Sequence, residues 1–152
     1  MKLATTTSGF DRFFKTYQER IDSVCEAGFR YINLSMYKST KNDELLISDR
    51  WEYNAETLLE NTKRKGAEFV LAHSPDGNPL SEDLSHINEL IRATKRAIDV
   101  CGVLGIPNIV VHAGCRMGIS KEENFEMNKA FFEKLLYDMG KYILKTYDSF
   151  EE

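Results

Sequence analysis

The sequence predicts an α/β protein, a partial (β/α)8 barrel of about four βα units, and three observations lead there. An amphipathic stretch, a glycine and a short apolar run rich in β-branched and aromatic residues recur together, as EAGFRYINLS, RKGAEFVLAHS and VLGIPNIVVHA. The glycines of these phrases, Gly28, Gly66 and Gly105, stand 38 and 39 residues apart, the period of one strand-helix unit. A complete barrel takes about 250 residues, so a chain of 152 holds roughly half of one.

Each glycine suits the left-handed residue that closes a helix, and the apolar run after it suits a strand buried on both faces. The first helix is read from Phe10, Phe13, Phe14, Tyr17, Ile21, Val24 and Cys25, which recur at helical spacing. A polar insertion from Met36 to Arg50 follows the second strand, at the end of the sheet where loops build sites; it reads equally as a lid or as a surface excursion. The second helix is expected from about Asn54 to Lys65, and the third from about Glu82 to Leu104 with Ser81 as its N-cap. Ser120 and Glu123 form an S-x-x-E capping box for a fourth helix, with Phe125, Asn128, Phe132, Leu135, Leu136 and Met139 on one face. Alternating strands and helices of this period make a parallel sheet with right-handed crossovers. A barrel is favoured over an open doubly wound sheet because no G-x-G-x-x-G follows the first strand and polar residues recur in step on successive strands.

Composition narrows the function. Twenty basic and 24 acidic residues give a net charge of −4, with both signs scattered, so no basic stripe marks a nucleic-acid partner. Three cysteines, Cys25, Cys101 and Cys115, form no CxxC pair, and the N-terminus shows no long apolar signal region, which together suggest a reduced, cytoplasmic setting. No apolar run approaches the roughly 20 residues that span a bilayer, so no membrane partner is expected.

The chemistry gathers at strand ends. His73 lies seven residues after Gly66 and His112 seven after Gly105, so both are expected to close their strands as neighbours. An imidazole there can ligate a divalent metal, move a proton near neutral pH, or hydrogen-bond a sugar hydroxyl. One histidine in such a place is as readily a packing residue; two at equivalent positions favour a shared role. Ser35 holds the same place after Gly28, with Asn33 nearby, although serine at a strand end is ordinarily a local hydrogen-bonding residue. His86 falls off the apolar stripe of the third helix and reads as a surface residue, and Cys115 as a bystander thiol. The loop Ala113 to Ser120 leads from His112 into the capped helix, where backbone N–H groups and Arg116 could receive a phosphate, or where glycines merely serve a short turn. The loop Ser74 to Pro79 stays open between the same readings.

The phrases EFVLAHSP and AIDVCGVLGIPNIVVHAG resemble the third and fourth strands of the sugar phosphate isomerase/epimerase family, which shares the xylose isomerase-like TIM barrel with endonuclease IV. The resemblance covers about residues 1 to 136, its specific part being the two histidine-ended strands, with a family-like segment at Trp51. It implies one domain over residues 1–152, apparently truncated after the fourth βα unit, and a divalent metal (Mn, Mg, Co or Zn). In the isomerase branch most metal ligands come from later strands, and His73 and His112 would contact hydroxyls of a sugar or sugar phosphate, with Ser35 and Arg116 as further substrate-binding candidates. In the endonuclease branch the same two histidines would be zinc ligands. The family's glutamate after a fifth strand has no clear counterpart here; Glu151 lies one repeat step beyond His112, but the residues before it do not read as a buried strand.

The expected function is therefore isomerase- or epimerase-like, by metal-assisted proton transfer next to a carbonyl, with no catalytic residue assigned in this chain and little activity expected of it alone. The first alternative is a non-catalytic half barrel completed as a homodimer through open sheet edges. A zinc-dependent phosphodiesterase stands behind both.

Overall fold

The computed structural model describes residues 3–37 and 43–148, with side chains described to residue 137. Its sheet holds four strands, β1 (Ala4–Thr6), β2 (Tyr31–Ser35), β3 (Glu68–His73) and β4 (Ile109–Val110), all parallel and in sequential order. Helices α1 (Tyr17–Glu26), α2 (Trp51–Arg64) and α3 (Leu84–Leu104) connect them, and α4 (Lys121–Asp148) follows β4. This is four consecutive βα units of a parallel barrel. Gly28, Gly66 and Gly105 have φ of 92°, 66° and 68°, which is why glycine recurs at the turn from helix to strand.

The core lies between the outer face of the sheet and the helices. Ile32 and Leu34 of β2, with Phe69 and Ala72 of β3, meet Ile21 and Val24 of α1, Ala55 and Leu58 of α2, and Ala97, Val100 and Leu104 of α3. The opposite face of the sheet carries Asn33, Ser35, Leu71, His73 and Val110, which share one side of the pleat through the registers Asn33 with Leu71, Ser35 with His73, and His73 with Val110. In a complete barrel that face is the interior.

Several element boundaries differ from expectation for local reasons. The first helix begins at Tyr17, and Thr7–Phe10 form a separate 3-10 turn, because Thr16 and Glu19 make a reciprocal capping box that starts α1 afresh. Phe13 is consequently exposed, while Phe10 packs against the core. Replacing such a cap costs about 1 kcal/mol. Helix α2 starts three residues early, at Trp51, whose ring lies under the Arg96 guanidinium at 4.5 Å. Asp83, not Ser81, caps α3: its carboxylate accepts from Ser85 and His86 N–H, while Ser81 Oγ accepts from Asp83 N–H. The capping box of α4 forms as read, with Ser120 N–H on Glu123 at 2.8 Å and Glu123 N–H on Ser120 Oγ at 3.1 Å. Its expected apolar face splits, however: Leu135 is buried, but Phe125 and Leu136 are 65% and 70% exposed. The side chain of Met139, and all of Glu151, lie outside the described residues.

The insertion after β2 is more than a polar excursion. Met36, Leu45 and Leu46 are buried in the core, and Asp43 organises the turn, accepting from Leu45 and Leu46 N–H and from the Tyr17 hydroxyl at 2.8 Å. Burial, and after it the Asp43 carboxylate, hold the Tyr17 phenol well above its usual value, so it stays a donor. The described part, residues 43–50, is thus packed structure rather than a lid; residues 38–42 lie outside the described residues.

Cys25 and Cys101 are buried free thiols and Cys115 is exposed. Burial raises the Cys25 thiol and pushes Cys101 up to about 12, leaving both as inert core residues. A disulfide-exchange reagent at pH 8 is expected to label only Cys115 in the folded chain and all three cysteines after denaturation. Rapid native labelling of a second thiol would contradict this packing.

Candidate functional site

Strand geometry brings His73 and His112 together, though not as ladder partners. His73 stands opposite Val110, so His112 is two residues further along β4, on the same side of the pleat. This stagger is the strand shear of a tilted barrel, and it sets the two imidazoles in a stacked pair with centroids 5.8 Å apart and planes at 21°. Tyr37, just past β2, closes the cluster, its ring 5.2 Å from His73 and 5.6 Å from His112. Sequence reading passed over Tyr37; its signal was an aromatic residue two positions after Ser35, where a strand exit meets the mouth.

Asn33 accepts a hydrogen bond from His73 Nδ1 at 3.0 Å, which places the ring proton on Nδ1 and leaves Nε2 with its lone pair. Burial first, and the His112 ring second, hold His73 below the usual histidine value. His112 Nε2 and Ser35 Oγ are buried and, among the described residues, have no hydrogen-bond partner. Ser35 is fixed through its backbone instead, its N–H donating to Thr7 Oγ1 at 2.9 Å. Buried polar atoms are ordinarily satisfied, so these two mark where a ligand or water belongs.

The loop after β4 is held by three asparagines. Asn128 accepts from Gly114 N–H at 2.7 Å and donates to Gly114 O at 3.0 Å; Asn124 treats Arg116 likewise, at 2.7 and 3.0 Å. Asn78, from the loop after β3, accepts from Cys115 N–H and donates to its carbonyl. Three consecutive N–H groups are thereby committed within the fold, and the Arg116 guanidinium pairs with Glu82. Of the donors that sequence reading offered to a phosphate, the Gly114, Cys115 and Arg116 N–H groups and the Arg116 guanidinium are therefore engaged within the fold. His86 lies at the exposed start of α3, as read.

The sequence matches the family described as xylose isomerase-like TIM barrel over residues 21–141. The chain belongs to that family. Among solved structures it is similar to the probable 3-DHS dehydratase AsbF, involved in petrobactin synthesis, from Bacillus anthracis, with 19% identity and a TM-score of 0.55 over 89% of this chain and 49% of that one. It is also similar to D-psicose 3-epimerase determined in the presence of D-fructose, with 15% identity and a TM-score of 0.60 over 92% of this chain and 50% of that one. It thus spans about half the length of these solved xylose isomerase-like barrels. No curated protein matches the sequence.

Proteins of this xylose isomerase-like fold often hold a divalent metal, but the donors among the described residues do not make a complete site. Two imidazoles converge, and no group of three or more His, Cys, Asp or Glu side chains able to hold an ion occurs among the described residues. No helix among the described residues is long and apolar enough to cross a membrane.

Two measurements probe this geometry. The folded pKa of His73 lies below its unfolded value of about 6.5, so the unfolded chain takes up the proton first as pH falls. Its contribution to stability is complete above that value and lost on acidification; a nuclear magnetic resonance titration should find the His73 midpoint below 6.5, and His73→Gln should flatten the stability-pH slope between pH 7 and 5. At Gly114 an added Cβ would overlap Asn78 Oδ1 and come within 2.9 Å of Leu80 and Pro79, while Asn78 is pinned by its own hydrogen bonds. Gly114→Ala is expected to lower stability by about 1–3 kcal/mol in urea denaturation; an unchanged midpoint would refute the close approach.

Proposed function

We propose that this chain binds a small polyhydroxylated carbonyl compound, a sugar rather than a sugar phosphate, as its part of an isomerase- or epimerase-type site. The observation that carries the reading is the His73–His112–Tyr37 cluster at the strand ends, with His112 Nε2 and Ser35 Oγ buried and unpartnered beside it. Imidazole nitrogens and a serine hydroxyl suit sugar hydroxyls, and an aromatic face suits their C–H edges. Family membership and the similarity to a D-psicose 3-epimerase support the same class of ligand. The engagement of Arg116 and of the loop N–H groups speaks against a phosphate handle.

In this reading His73, oriented by Asn33, accepts a substrate hydroxyl proton in a hydrogen bond at Nε2, and His112 meets a second hydroxyl through its own Nε2. Tyr37 holds the sugar's orientation by lying against both rings. These are binding and orienting roles. Proton transfer next to a carbonyl needs a base, and this chain's described residues place no carboxylate cluster in the mouth.

A panel of ketohexoses and pentoses titrated into the labelled chain is expected to shift the His73, His112 and Tyr37 ring resonances together and saturably. His112→Ala should weaken that binding by about tenfold, close to 1.4 kcal/mol. Absence of shifts at high sugar, or unaltered binding by the variant, would overturn the assignment.

A further inference from the structure

Strand β1 is shorter than the strand it pairs with. Its ladder with β2 ends at Thr6 and Asn33, and the chain then turns away through Thr7–Phe10, so Ser35 has no ladder pair in β1. The Ser35 N–H is satisfied all the same, by a side chain: it donates to Thr7 Oγ1 at 2.9 Å in a buried hydrogen bond. The next N–H, of Met36, donates the other way, to the His73 carbonyl at 3.0 Å. The end of β2 is thus held by a side chain from the β1 side and by main chain from the β3 side, with Ser35 between them. Thr7 is completely buried, and a β-branched side chain has few χ1 states to move between. The turn that carries it is anchored in its own right, Thr6 Oγ1 accepting from Ser8 N–H at 3.3 Å and Phe10 packing against the core.

We infer that Thr7 is a positioning residue of the mouth: its hydroxyl oxygen stands in for a strand carbonyl that β1 no longer offers, and so fixes Ser35 where the serine hydroxyl meets the bound sugar. Ser35 Oγ is buried and has no hydrogen-bond partner among the described residues, so main-chain contacts set the place of this residue. Of those contacts, the one to Thr7 is made by a side chain and can be removed by substitution. Ser35 is also the ladder partner of His73, on the face of the pleat that carries Asn33 and the histidines. A shift of its peptide group therefore moves a hydroxyl that lies in line with the His73 ring.

The inference rests on the sugar-binding reading and adds to it a residue that acts through Ser35 without touching the sugar. Valine matches threonine in shape but cannot accept a hydrogen bond, so Thr7→Val leaves the Ser35 N–H buried and unsatisfied, and the end of β2 relaxes to find water or another acceptor. Thr7→Ser keeps the acceptor and loses only a methyl group. The pair of variants separates the hydrogen bond from the packing, and the Ser35→Ala background separates an effect carried by the Ser35 hydroxyl from a general loosening of the fold.

Amide hydrogen exchange, followed by nuclear magnetic resonance without sugar, is the first half of the test. Exchange at Ser35 is expected to be about tenfold faster in Thr7→Val and close to the parent rate in Thr7→Ser. In the second half the same variants are titrated with a ketohexose. Thr7→Val is expected to weaken binding by about fivefold, and to have no further effect once Ser35→Ala has removed the hydroxyl. Unchanged Ser35 exchange in Thr7→Val, or an equal loss of affinity with and without the Ser35 hydroxyl, overturns the proposal. Should Thr7→Val not fold, Thr7→Ala is compared with Thr7→Ser in its place, since the two differ only by the hydroxyl. A parent chain that binds no sugar overturns the sugar-binding reading itself; fast exchange in Thr7→Val then still supports the placement of Ser35 by Thr7, and unchanged exchange refutes it.

Discussion

Strand β3 is hydrogen-bonded along both sides, with Met36 N–H on the His73 carbonyl at 3.0 Å and Ser74 N–H on the Val110 carbonyl at 2.9 Å. Because a parallel ladder fixes both the height and the facing of every residue it joins, this central strand determines which side chains reach the mouth. A slip of one residue on either side would send His112 or Asn33 into the helical layer. The stacked imidazoles, the Asn33 contact and the position of Tyr37 all follow from the two pairings that β3 makes. The apolar contacts of Phe69 and Ala72 with the helices fix the same register from the other face.

The repeat was the most legible part of the chain. Its glycines are read directly from sequence because φ between 66° and 92° leaves few alternatives to glycine. The pairing of His73 with His112 was also legible, but for a subtler reason than equal height. Counting from the glycines ignores shear, and it is shear that turns residues two ladder steps apart into ring neighbours. Long-range partners were not legible: nothing local to Arg116 announces Glu82, and nothing local to Asn128 announces the Gly114 peptide. The start of α1 was misplaced because apolar spacing continued through Phe10, Phe13 and Phe14, whereas the decisive signal was the threonine and glutamate of a capping box.

The face of α4 shows how burial depends on context rather than on pattern. Phe125, Phe132 and Leu136 repeat at helical spacing as a core stripe would, yet α4 turns Phe131, Leu135 and the two asparagines towards α3 and the loop, leaving much of that stripe uncovered. An amphipathic pattern reports that a surface is apolar; which neighbour covers it is settled by the rest of the assembly.

The three asparagines that grip residues 114–116 read main-chain atoms rather than side chains. The loop's shape is therefore written largely outside the loop, in α4 and in the preceding unit. Position 115 can accept other side chains without altering the backbone that carries them, while Gly114 cannot. Such a separation lets a surface be revised by single substitutions while its scaffold is inherited intact, so chemical novelty beside the mouth need not be coupled to refolding of the strand end.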